Sequence, residues 1–211
     1  MKIQVLITLF LFFISCKNVT EKESEKTQII IDSTGLKIET VEKQIENSNL
    51  TSFLENPIDL QEFKKKKKQS LSTVMNGAEY YWNPKINDSI HYLYSFLPND
   101  RFQSKIEQLE IVVFKFGKNK HSWEDKTEIL IELKVEAQDS ILGKANLVGL
   151  TKMELETEFG SEYLILENGI AYSHKNKVLI IELDNSKVKS YRYLKLNTEN
   201  IDQDLIRQIV E

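Results

Sequence analysis

"GLTKMELETEFG" (Gly149–Gly160), followed after Ser161 by "EYLILENGIAYSHKNKVLIIELDNSKVKSYRYLKL" (Glu162–Leu196), decides how this chain folds. Thr151 and Glu154 stand three residues apart, the spacing at which each side chain satisfies the other's backbone donor at a helix start. Leu150 and Leu155 sit where a hydrophobic staple closes over that start. Gly160 is placed to end the helix in a left-handed conformation. The stretch therefore predicts a short helix over Lys152–Phe159. Asn168-Gly169 then separates two strand-like runs, a dipeptide suited to the positive φ angles of a type I′ hairpin. "KVLIIEL" reads as a third strand, "DNS" as a turn and "KVKSYRYLKL" as a fourth strand. In "ENIDQDLIRQIVE", Ile201, Leu205 and Ile209 share one face of a terminal helix.

The middle of the chain repeats this order more loosely. "NPIDLQEFKKKKK" (Asn56–Lys68) places Asn56 as a helix cap and Pro57 at the first helical position. Strand-like runs follow at Leu71–Trp82, Ser89–Leu97 and Gln108–Phe116. Two signals compete in "SWEDKTEILIELKV" (Ser122–Val135). Ser122 with Asp125 suggests a helix start, whereas Ile129, Ile131, Leu133 and Val135 alternate as in a strand. The helical start is preferred. Ile29–Val41 supplies a short extra strand or two around Gly35. The expected class is α+β: antiparallel sheet with short helices on one face, in one or two helix-plus-meander units. The corresponding division is 28–140 and 141–211, after a segment 1–15 and a tether 16–27.

The N-terminus speaks about location. Met1-Lys2 precedes an apolar stretch from Ile3 to Ile14. As a helix it spans about 18 Å, against roughly 30 Å of bilayer hydrocarbon, so it is too short to cross. A positive start, a short apolar core and a small residue, Ser15, form the pattern of a secretory signal. Cys16, the single cysteine of the chain, follows directly. These residues, Phe13-Ile14-Ser15-Cys16, resemble a bacterial lipoprotein signal, in which cleavage before the cysteine accompanies its lipidation. The resemblance implies residues 1–15 as signal peptide, Cys16 as the lipidated residue and a cell-envelope location, the outer membrane foremost. "KNVTEKESEKTQ" after it is polar and charged, and reads as a flexible tether. Loss of residues 1–15 removes Lys2, leaving 27 basic against 32 acidic residues, a net −5. That balance, with three arginines among 28 basic residues, argues against nucleic acid.

Gly149-Leu150-Thr151, Phe159-Gly160, Tyr172 and the strand before Val188 resemble the small outer-membrane assembly lipoproteins of the SmpA/BamE type. In that family a capped helix feeds an antiparallel meander, and the resemblance implies a protein-binding or assembly role. Ser161-Glu162 stands where the family commonly has a proline. A related α/β shape occurs in secreted enzyme inhibitors, so an inhibitor or immunity-type lipoprotein is the open alternative.

Chemistry is hard to place. The chain carries no G-x-S-x-G, G-x-G-x-x-G, P-loop or H-E-x-x-H motif. A lipidated Cys16 leaves no thiol, so the expectation is a protein that is not an enzyme and holds no metal or other cofactor. His121 near Glu124 and Asp125 is read as an exposed turn cluster, His174 as a turn residue and His91 as a sheet residue. Lys64, Lys65, Lys66, Lys67 and Lys68 are candidates for contact with anionic headgroups, against the plainer role of a solvated helix end. Ile90, Tyr92, Tyr94 and Phe96 share a parity and read as core. Tyr81 and Trp82, beside Asn83-Pro84, are the candidates for contact with a protein partner.

Overall fold

Eight antiparallel strands form one sheet in the computed structural model, which describes residues 47–67, 70–96 and 109–210. All of these lie within the unit Gln44–Glu211. The chain runs α1 (Ser48–Glu55), α2 (Leu60–Lys66), β1 (Leu71–Met75), β2 (Ser89–Phe96), β3 (Leu109–Phe116) and β4 (Ile129–Val135). A 3-10 turn (Ser140–Ala145) leads to α3 (Lys152–Phe159), β5 (Leu164–Leu166), β6 (Gly169–His174), β7 (Lys177–Asp184), β8 (Lys187–Lys195) and α4 (Gln203–Val210). The strand order is β1-β2-β3-β4-β8-β7-β6-β5. Two four-stranded meanders, one from each half of the chain, thus meet through their last strands. The class is α+β, as expected, and segments 28–140 and 141–211 contribute to the same sheet.

Alternation along the strands sends apolar residues to both faces, and both are covered. On one face Ile111, Val113, Tyr172, Leu179, Tyr191 and Tyr193 pack against Phe53, Leu54, Phe63, Leu155 and Phe159 of the first three helices. On the other, Val112, Phe114, Ile131, Val178, Ile180 and Leu194 meet Ile206 and Ile209 of α4. The terminal helix therefore lies on the face opposite the other helices. Tyr81 and partly buried Trp82 share that second face. They belong to the long β1–β2 connection, a strap that reaches the end of β8, where Tyr81 bridges Leu196 and Trp82 N–H donates to Lys195 O at 2.9 Å.

A bulge in β4 tunes this alternation. Val112 opposes Glu132 while Val113 opposes Leu130, so Ile131 is the extra residue. Ile131 and Glu132 consequently both face the strap, and Leu133 and Val135 turn back to the helical face.

Local signals decide the helix ends. Thr151 and Glu154 make both bonds of the capping box. Asn56 does not open a helix. Its N–H still donates to Ser52 O, so it ends α1, which starts at Asn47. Asp59 caps α2 by accepting from Glu62 N–H at 2.9 Å. Ser122–Glu128 is a turn segment and not a helix start, because Asp125 spends its carboxylate on Thr127.

The hairpin at Asn168-Gly169 exists, but its turn is Glu167-Asn168, since Leu166 pairs with Gly169. Gly169 is a strand residue, where an added Cβ would stand 1.9 Å from Ile181 O. The two-residue turn with both φ angles positive is Asn185-Ser186 (49° and 62°), within the stretch read as "DNS".

Candidate functional site

Cys16, Lys68 and the segment Ile29–Val41 lie outside the described residues. The rest of the lysine run is not a uniformly solvated face. Lys65 and Lys66 are exposed, whereas Lys64 is 3% and Lys67 9% exposed. Lys67 pairs with Asp139 at 2.8 Å and Lys64 with Glu128 at 2.6 Å. Headgroup contact through Lys64 and Lys67 is therefore ruled out by their burial. Tyr81 is corrected likewise. It is a core residue, 4% exposed, whose hydroxyl donates to Glu132, and burial followed by the Glu132 charge pushes its pKa up. Trp82 stays half-buried, edge-on to Phe114, with Lys195 Nζ 3.9 Å from its ring centre.

The histidines take structural places. His121 is exposed and shares a 2.7 Å hydrogen bond with the Tyr92 hydroxyl, not with Glu124 or Asp125. His174 closes β6 opposite Lys177. His91 is buried between Tyr81 and Phe114, and its Nε2 has no hydrogen-bond partner among the described residues. Burial holds its pKa below the ordinary 6.5.

The densest chemistry lies where α2 meets the loop end of the β3–β4 hairpin. Lys64 from α2, Lys115 from β3, and Asp125 and Glu128 from the hairpin loop have side chains only 0–3% exposed. Lys64 Nζ donates to Glu128 Oε1 and to Trp123 O. Gln61 Nε2 donates to Glu128 Oε1 at 2.9 Å and to Asp125 O at 2.8 Å. Lys115 Nζ donates to Ser122 O and, at 3.3 Å, to the Tyr94 hydroxyl. It stands 3.7 Å from Glu128 Oε2 and 3.9 Å from Asp125 Oδ2. Asp125 Oδ1 accepts from Thr127 N–H at 2.9 Å and Thr127 Oγ1 at 2.7 Å, while Oδ2 has no hydrogen bond among the described residues. Aromatic rings close the site: Tyr94 and Trp123 lie 4.9 and 4.4 Å from Lys64 Nζ, and Tyr92 lies 5.4 Å from Lys115 Nζ. Burial, the largest influence, lowers the Lys115 pKa, and neighbouring Lys64 works in the same direction.

A second polar centre sits on the strap face. Glu132 receives the Tyr81 hydroxyl and, at 2.9 Å, Arg192 Nε. Arg192 Nη1 donates to Ile209 O at 2.9 Å, so the centre ties strap, sheet and α4 together.

Sequence reading missed both centres. Lys64 and Glu128 are 64 residues apart, and Tyr81 and Glu132 are 51 apart. The usable signal was parity: Lys115 falls on the apolar side of "IVVFKF", where a lone lysine needs a buried partner.

Open surface of another kind lies at the sheet edges. β1 is uncharged and exposed over Leu71–Val74, and among the described residues it pairs only with β2. A cleft of about 700 Å³ runs between α4 and the β5–β7 edge, with Ile165 and Val210 exposed beside it. Among the described residues no helix is long and apolar enough to cross a membrane. No family model, curated protein or solved structure matches this chain.

Proposed function

We propose that this chain is a lipid-anchored protein of the bacterial cell envelope, outer membrane foremost, whose folded unit binds another protein and catalyses no reaction. The observation that carries the reading is Cys16, placed directly after a short apolar run and before a charged stretch. Two or more acyl chains on that residue give stable anchoring, at about 0.8 kcal/mol per buried methylene. Leu71 and Val74 of β1, and Ile165 and Val210 beside the α4 cleft, are exposed apolar surface available to a protein partner, which supports a binding role. The resemblance within Leu147–Leu196 to SmpA/BamE-type lipoproteins supports the same reading.

Cys16→Ala tests it. The expected result is loss of acyl labelling and retention of residues 1–15, so that no processed, acylated protein accumulates in the membrane fraction. Equal processing and equal membrane retention of the variant would overturn the reading.

A further inference from the structure

We propose that Lys115 and Asp125 condense without an external catalyst into an intramolecular amide, a covalent staple across the β3–β4 hairpin. The geometry assigns each neighbour a part. Lys115 Nζ, the nucleophile, is 3.9 Å from Asp125 Oδ2, the oxygen that leaves. The atom attacked is Cγ, one bond from Oδ2, and a near-attack contact requires Nζ to reach about 3–3.5 Å from it. Among the described residues Oδ2 carries no hydrogen bond that would hold it back. Oδ1, the oxygen that stays, already accepts from Thr127 N–H and Thr127 Oγ1. Two donors at that oxygen are what a tetrahedral oxyanion requires.

The step balances. Glu128, 3.7 Å from Lys115 Nζ, carries the ammonium proton to Asp125, leaving a free amine beside a neutral carboxylic acid. The Nζ lone pair adds to Cγ, and the C–Oδ2 bond breaks. The departing oxygen takes up the second Nζ proton and leaves as water. Glu128 returns to its carboxylate form. The third Nζ hydrogen remains as the amide N–H, with Ser122 O in place to accept it.

Burial favours this outcome. Neutral forms gain over charged ones in a dry, aromatic-lined pocket, and a lowered Lys115 pKa makes the free amine accessible. The ammonium and carboxylate stand too far apart for a direct hydrogen bond, so their charges are poorly compensated. Condensation removes one charge of each sign. What remains is the well-made Lys64–Glu128 pair at 2.6 Å. In a chain with one cysteine, an amide is a cross-link that the available side chains can make without oxidation.

Peptide mapping of the full chain, purified folded and digested with trypsin, provides the test. Residues 106–118 are expected joined to residues 121–126, lighter than the two peptides together by one water, with no cleavage after Lys115. Recovery of residues 106–115, 116–118 and 121–126 as separate, unmodified peptides would overturn the proposal without any variant having to fold. In freshly synthesised chain, Thr127→Val should slow linkage on the order of a hundredfold, as loss of one oxyanion donor does. An unchanged rate would remove Thr127 from its part.

Discussion

The two buried polar centres, one on each face of the sheet, make a useful contrast. The centre under α2 holds two lysines and two carboxylates with side chains at most 3% exposed. The centre under the strap holds a single ion pair, and Arg192 keeps 24% of its side chain in contact with solvent. Both bind distant segments together, but only the first has withdrawn every charge from water. A buried charge is tolerated only while its partner stands, so the first centre makes the fold brittle at one point. The second can relax toward solvent when disturbed. Enclosure, more than the number of hydrogen bonds, separates them.

Glu128→Gln should therefore produce the largest loss, about 3–5 kcal/mol in urea unfolding, because it strands Lys64. Glu132→Gln should cost less, about 1–3 kcal/mol, since Tyr81 can still donate and Arg192 can turn outward. Equal losses from the two substitutions would break the comparison.

A finer contrast comes from pH, since the strap face has a histidine and the α2 centre does not. His91 titrates below 6.5 in the folded state, so between that lowered value and 6.5 the unfolded chain binds more protons. Its contribution is complete above pH 6.5 and declines as pH falls through that window, with a slope of at most about 1.4 kcal/mol per pH unit. His91→Leu should flatten this part of a stability–pH curve. An unchanged slope in the variant would assign the effect elsewhere.

Local rules carried the second half of the chain. The capping box, the helix-ending Gly160, the meander and the terminal helix are short-range features, and all are present. Where a local rule erred, a long-range contact had overridden it. Asn168-Gly169 has turn chemistry, but the close approach of Ile181 O makes Gly169 a strand residue. Ile129, Ile131, Leu133 and Val135 alternate in sequence, yet the bulge at Ile131 splits them between faces. Lys64–Lys68 reads as one solvated block because periodicity does not reveal what α2 will meet. The strap hid Tyr81 in the same way: beside Asn83-Pro84 it looks like a loop residue, and only the crossing to β8 buries it.

The seam between β4 and β8 has a kinetic consequence. Every other neighbouring pair of strands is consecutive in the chain, so each can form as a local excursion. The seam rests on four paired positions, Glu132 with Leu194 through Val135 with Tyr191. It also closes the longest loop among the strand pairings, with Glu132 and Arg192 60 residues apart. Loop closure of that length has to be met before its contacts can reward it. Docking of the two meanders is thus the step expected to set the folding rate, and substitutions that weaken the seam should slow folding more than they speed unfolding in stopped-flow measurements.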